Sequence, residues 1–132
     1  MATAQFGRVI TAMITPFTED GAVDYESAVA LAKHLVAHGS EGLLVGGTTG
    51  EGATMTAEEK LKLYTLIVDA VGKRGEGKKV PVMGNIGTIS TADTIAFGNK
   101  AKETGIDCAL VIVPFYVKPN QEGMYQHFTA VA

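Results

Sequence analysis

Two stretches of this chain, 66 residues apart, repeat one short pattern. Gly39-Ser40-Glu41-Gly42-Leu43-Leu44-Val45 and Gly105-Ile106-Asp107-Cys108-Ala109-Leu110-Val111 each run glycine, any residue, acid, small residue, then an apolar strand. Two strand–helix units separate them, so one unit takes about 33 residues. A closed barrel of eight such units occupies about 250 residues, or roughly 31 per unit. The spacing predicts an α/β fold of parallel strands covered by outer helices. A length of 132 residues holds four units, and four strands cannot close an eight-strand barrel. The expected fold is therefore a (βα)4 half of a (β/α)8 barrel, one domain over 1–132 with units at about 8–39, 42–72, 79–105 and 108–132.

The local signals fill in those units. Arg8 to Ile14 is a strand-like run closed by Thr15-Pro16. Asp24 is placed to N-cap a helix whose apolar positions Ala28, Leu31, Ala32, Leu35 and Val36 follow helical spacing, and Gly39 stops it. Gly42 to Val45 reads as a buried strand. Thr56 and Glu59 form a capping box before a second amphipathic face of Leu63, Leu66, Ile67, Ala70 and Val71. Val80 to Met83 is a third strand, weakened by Pro81, which cannot donate to a ladder. Ser90 and Asp93 open a third helix ending near Gly105, and Ala109 to Val113 is the fourth strand. From Asn120, the residues Met124, Tyr125, Phe128 and Val131 mark a fourth helix.

Composition narrows the class. With 46% apolar residues and a net charge of -3, the chain can bury a core and is no disordered tail. It has no basic run longer than a pair such as Lys78-Lys79, which argues against nucleic acid or an anionic membrane as partner. No apolar stretch approaches the roughly 20 residues of a membrane span. MATAQFG shows neither a basic nor an apolar signal-peptide region. Cys108 stands alone, which suits a reducing cytoplasm, and it reads as a small buried hydrophobe.

The segment Gly46-Gly47-Thr48-Thr49-Gly50-Glu51-Gly52 follows the second strand, at the barrel face where such folds carry chemistry. It matches neither the dinucleotide fingerprint nor a P-loop, since no lysine stands in the required place. Adjacent hydroxyls and exposed amides suit a small carboxylate. A plain turn requiring positive φ, with Thr49 or Thr54 as a local cap, fits the spacing equally well. Glu51 is expected to brace the loop through a hydrogen bond.

GGTTGE, an opening AMITPF, and the later VPFYVKPNQEGMYQHF together resemble the dihydrodipicolinate synthase family, over about Gly7 to Ala132. That family belongs to the pyruvate-dependent class I aldolases, with N-acetylneuraminate lyase among its relatives. The threonine pair and NQEGMYQHF are closer to the synthase. The resemblance implies a lysine Schiff base with pyruvate whose enamine attacks L-aspartate 4-semialdehyde, with no metal or organic cofactor, on the route to lysine and diaminopimelate. It implies Thr48 in a proton-passing hydroxyl relay, and Thr49 with Gly47 holding the pyruvate carboxylate. It implies Tyr116 completing the relay from a neighbouring subunit of a homo-oligomer; as a lone residue, Tyr116 reads rather as packing at a strand end. A sibling sugar-acid aldolase and a non-catalytic half-barrel are the alternatives.

A Schiff-base lysine should be desolvated, and none stands mid-strand here. Lys33, Lys60, Lys62, Lys73, Lys100 and Lys102 fall on helices or their ends, and Lys78 and Lys79 precede the third strand. Only Lys118 lies beyond a strand's C-terminal end, and it reads as a surface loop residue. The family's nucleophile belongs to a sixth strand, which four units do not reach. Lysine-inhibited relatives bind the inhibitor with polar groups at positions matching Gly52, Ala53, Ala57, Lys60 and Phe115, so the resemblance implies insensitivity to lysine. His34 and His38, at i and i+4, read as an exposed helix pair rather than metal ligands. His127 has no assigned role.

Overall fold

In the computed structural model the described residues are 6–73 and 75–132, so most of the MATAQFG stretch read for targeting lies outside them. Strands β1 (Ile10–Ala12), β2 (Gly42–Val45), β3 (Val82–Asn85) and β4 (Cys108–Leu110) alternate with helices α1 (Tyr25–Ala37), α2 (Ala57–Val71), α3 (Thr91–Glu103) and α4 (Gln121–Val131). The strands form one parallel sheet in the order β1-β2-β3-β4. Register runs Ala12 to Leu44 to Met83 to Cys108 across the sheet.

The repeated motif has a physical cause. Gly39 and Gly105 both take positive φ, at 109° and 90°, and turn the chain from helix to strand. The acid two residues later then grips the preceding strand with both its amide and its carboxylate. Glu41 N donates to Val9 O at 2.8 Å, while its carboxylate accepts from Arg8 N and Val9 N. Asp107 repeats this on β3: its N donates to Val82 O at 2.8 Å and its Oδ2 accepts from Val82 N at 2.9 Å. Each acid thus fixes the register of its strand against the one before it.

The expected caps form. Asp24 accepts from Ser27 N, Ser90 from Asp93 N, and Thr56 with Glu59 makes the reciprocal box; Asn120, from which only a helix was expected, also caps α4 by accepting from Gly123 N. Strand limits are shorter than expected on the flanks. β1 and β4 have three residues each, because each has a ladder partner on one side only. β3 begins after Pro81, not at Val80, since proline has no N–H to give; its carbonyl still accepts from Leu43 N at 3.1 Å. Cys108 is half-buried rather than buried for the same reason as β4 is short, and burial and Asp107 together push its thiol pKa up.

Leu43, Val45 and Val82 point to the helices and are buried with Ala28, Ala32 and Val36 of α1. On α2 the buried set is Lys60, Leu63, Tyr64, Ile67, Val68 and Val71, a stripe rotated from the expected one. Leu66 and Ala70 are only partly buried. On α4, Tyr125 and Phe128 are exposed, because α4 follows the outer strand and packs chiefly beside α3. His127 is the buried residue there, at 3% exposure, with Nδ1 2.8 Å from Thr91 Oγ1. No described helix is long and apolar enough to cross a membrane.

Candidate active site

The loop after β2 is shaped by its own backbone. Gly50 N and Gly52 N both donate to Gly47 O at 3.1 Å, and Glu51 N donates to Thr48 O at 3.0 Å. The glycines at its two ends are required. Gly46 has φ 67°, and a Cβ there would lie 2.8 Å from Tyr64 Oη; a Cβ on Gly52 would lie 1.8 Å from Gly46 O. The amides of Gly47, Thr48 and Thr49 enter none of these backbone bonds among the described residues. The loop is therefore a folded knot at the C-terminal end of β2, the turn with positive φ that spacing allowed.

Neighbouring elements hold the knot in place. Thr15 Oγ1, at the end of β1, donates to Gly50 O at 2.7 Å. Asn85, closing β3, donates from Nδ2 to Gly46 O at 3.0 Å, and its Oδ1 accepts from Gly87 N at 3.2 Å. Tyr64, fully buried on α2, donates from Oη to Asn85 O at 2.7 Å. Burial raises its phenol pKa, so it stays a neutral donor. None of Thr15, Tyr64 and Asn85 was singled out from sequence; their role depends on which elements become neighbours. Glu51 does not brace the loop through its side chain. It takes φ 54°, and its main-chain carbonyl accepts from Thr54 N and Oγ1 at 3.0 and 2.9 Å.

Beside this loop lies a cavity of about 740 Å³, walled by Thr48, Glu51, Asn85, Ile89, Ile112 and Phe115 among others. Thr48 reaches it; Thr49 is exposed next to it and Gly47 is buried beneath. Tyr116 is not part of this wall. It is 92% exposed, with φ 68°, and turned to solvent, so within one chain the structure does not bring it to Thr48. Lys118 is exposed as expected, also at positive φ. The unexpected lysine is Lys60. It is 9% exposed, lines the cavity, and its Nζ lies 4.6 Å from the Phe97 ring centroid. His34 and His38 stack on the helix surface at 4.0 Å, with His38 Nδ1 2.8 Å from His34 O.

The family profile described as Dihydrodipicolinate synthetase family matches residues 5–132. The chain is 54% identical over 127 residues to the 4-hydroxy-tetrahydrodipicolinate synthase of Symbiobacterium thermophilum, covering 96% of this chain and 42% of that protein. Against the synthase of Heliobacterium modesticaldum it is 51% identical, covering 97% and 41%. The dihydrodipicolinate synthase structure from Bacillus anthracis superposes with a TM-score of 0.90 at 43% identity, over 97% of this chain and 42% of that one. The lysine-bound enzyme of Cyanidioschyzon merolae gives 0.90 at 44% identity, over 96% and 42%. The chain thus spans about two fifths of the length of these relatives. Its four βα units are the N-terminal half of their barrel.

Proposed function

Because the chain belongs to the dihydrodipicolinate synthetase family, we propose that it supplies the pyruvate-holding half of a synthase. That enzyme joins pyruvate to L-aspartate 4-semialdehyde through a lysine Schiff base, in the cytoplasm, without metal or organic cofactor. The observation that carries the reading is the folded loop at the end of β2, with its free Gly47, Thr48 and Thr49 amides beside a cavity. A carboxylate accepts several such hydrogen bonds at once. Thr49 and Gly47 bind the keto acid's carboxylate. Thr48, whose hydroxyl can both donate and accept, passes protons without lodging a charge. Tyr116 acts in a neighbouring copy's site across a homo-oligomeric contact; its exposed ring suits an interface better than solvent. The chain works as one half-barrel domain over 1–132.

The chain taken alone is non-catalytic, since none of its lysines lies in a strand. Incubated with pyruvate and borohydride, the 132-residue chain should gain no adduct by intact mass. A stoichiometric adduct would overturn this, and peptide mapping should then look at Lys60 before Lys118, because only Lys60 is desolvated. Extended by a family C-terminal half, the chain should yield a pyruvate-dependent product with the semialdehyde. Turnover of a sugar-acid aldehyde instead would favour the sibling aldolase.

The same full-length enzyme is expected to keep its activity in millimolar L-lysine. Gly52, Ala53, Lys60 and Phe115 all line the cavity, and the cation of Lys60 is its buried charge, whereas the two carboxylates on the wall, Glu51 and Asp93, are exposed. Like charges at close range in a half-buried site repel by a few kcal/mol. Strong inhibition by lysine in a steady-state assay would refute the expectation.

A further inference from the structure

The sheet has two open edges and one open face. Among the described residues β1 and β4 each pair on one side only. Leu43, Val45 and Val82 face the helices, so alternate residues face the other way. By register that second face carries Ile10, Ala12, Leu44, Met83, Cys108 and Leu110, all uncharged and none of them buried. Parallel sheets are built with both faces covered. The register shows what can cover this one. Gly42 and Cys108 hold the same place in the repeated motif, and their ladder partners are Ile10 and Met83. Ile10 and Met83 are thus equivalent residues, one repeat apart. On its other side Met83 pairs with Leu44, two residues beyond Gly42. Each pair of strands therefore advances the register by two residues. Four such pairs advance it by eight, the shear at which an eight-stranded barrel closes. One chain holds two pairs, and two chains hold four.

We propose that a second copy of this chain covers the open face, β4 of each copy pairing in parallel with β1 of the other, so that two half-barrels close one eight-stranded barrel. The β2–β3 seam is the template. There Leu43 pairs with Val82 and Leu44 with Met83. At the new seam the equivalent residues bring Ala109 to Val9 of the second copy and Leu110 to its Ile10. Both seams form at once and are identical, as a two-fold pair requires. Area agrees with this. The chain exposes 7818 Å², whereas a compact protein of its mass exposes about 6,600 Å². Burying that excess of about 1,200 Å² on each copy gives an interface of roughly 2,400 Å², within the range of obligate homodimers. The inference goes beyond the synthase reading and does not depend on it, because it uses strand register and not the loop after β2.

The test uses the 132-residue chain with Cys108→Ser, which leaves introduced thiols as the only ones. Within one chain Ile10 and Leu110 lie on opposite edges, three strand spacings or about 14 Å apart, beyond the reach of a disulfide. Across the proposed seam they are ladder partners on one face. Ile10→Cys with Leu110→Cys is expected to oxidise to a covalent dimer. The slipped pair, Ile10→Cys with Ala109→Cys, puts its thiols on opposite faces and should cross-link at least tenfold less. Equal cross-linking of the two pairs would overturn the proposal, as would a ladder of higher multimers, which marks edges that join without closing. A second measurement needs no new thiol. Tyr116→Ser, which removes the other contact between copies proposed above, should sediment with the mass of two chains at tens of micromolar. A folded Tyr116→Ser chain that sediments as a monomer, or as aggregates without a defined mass, would also overturn it. Neither measurement reads activity, so failure here leaves the synthase reading standing.

Discussion

Replacing Tyr64 with alanine should destabilise the chain by about 3–5 kcal/mol, the range for truncating a large buried aromatic. Typical domains have only about 5–15 kcal/mol in total, so the variant is expected to be marginally folded. Two losses combine. The ring packs fully buried beneath the sheet, tilted against Phe97 at 6.4 Å between centroids. Its hydroxyl satisfies Asn85 O, and Asn85 in turn holds Gly46 O. Tyr64→Phe separates them: it keeps the ring, leaves Asn85 O without that donor, and should cost about 1–3 kcal/mol. Urea unfolding measures both, with amide exchange over Gly46–Gly52 reporting the loop. If Tyr64→Phe matched the wild-type midpoint and left loop exchange unchanged, the brace from α2 through β3 to the loop would have no energetic weight.

That brace also marks where sequence reading stopped. Caps and helix stops were legible because each is settled within four residues: Asp24 with Ser27, Thr56 with Glu59, Ser90 with Asp93. The acid of the repeat was visible as a pattern, although its grip on the preceding strand became clear only with Glu41 and Asp107 in place. The face of α2 was read one position off. Its buried stripe is 60, 63, 64, 67, 68 and 71, a helical series that starts on a lysine. Counting Lys60 as polar moved the expected stripe towards Leu66 and Ala70. A lysine in phase with an apolar series is a detectable signal, and it was the one that could have found the buried cation. Tyr64, in phase beside it, was hidden for another reason: helix periodicity says which side is buried, not that its hydroxyl reaches Asn85.

The outer elements failed in the opposite direction. Apolar runs at Arg8 to Ile14 and Ala109 to Val113 promised longer strands than the sheet contains, and Tyr125 with Phe128, which marked the fourth helix, lie exposed. A strand extends only as far as a neighbour answers its hydrogen bonds, and a helix buries only the sides that neighbours cover. β1 and β4 have one neighbour each, and α4 packs chiefly beside α3. The sequence encodes more apolar surface than these four units use, which is the property expected of strands and helices made to continue into further units.

Within a full-length enzyme carrying this chain, Thr48→Val and Thr49→Val are expected to fail in different ways. Both threonines are exposed, and neither hydroxyl makes a hydrogen bond among the described residues. Isosteric replacement should therefore leave stability within about 0.5 kcal/mol, so losses of rate can be read as losses of function. Thr48→Val removes a group that passes protons and should lower kcat about 10²–10⁴-fold, the range for general acid–base groups, with little change in KM for pyruvate. Thr48→Ser should recover much of the rate, since the hydroxyl returns. Thr49→Val removes a donor to a carboxylate, an interaction of about 1.5–3 kcal/mol, and should raise KM for pyruvate roughly ten- to a hundredfold while kcat falls less. Steady-state kinetics on the three variants checks the split. If both valine variants raised KM alike and spared kcat, the loop would be a binding cradle alone, and the proton path would have to run through other residues.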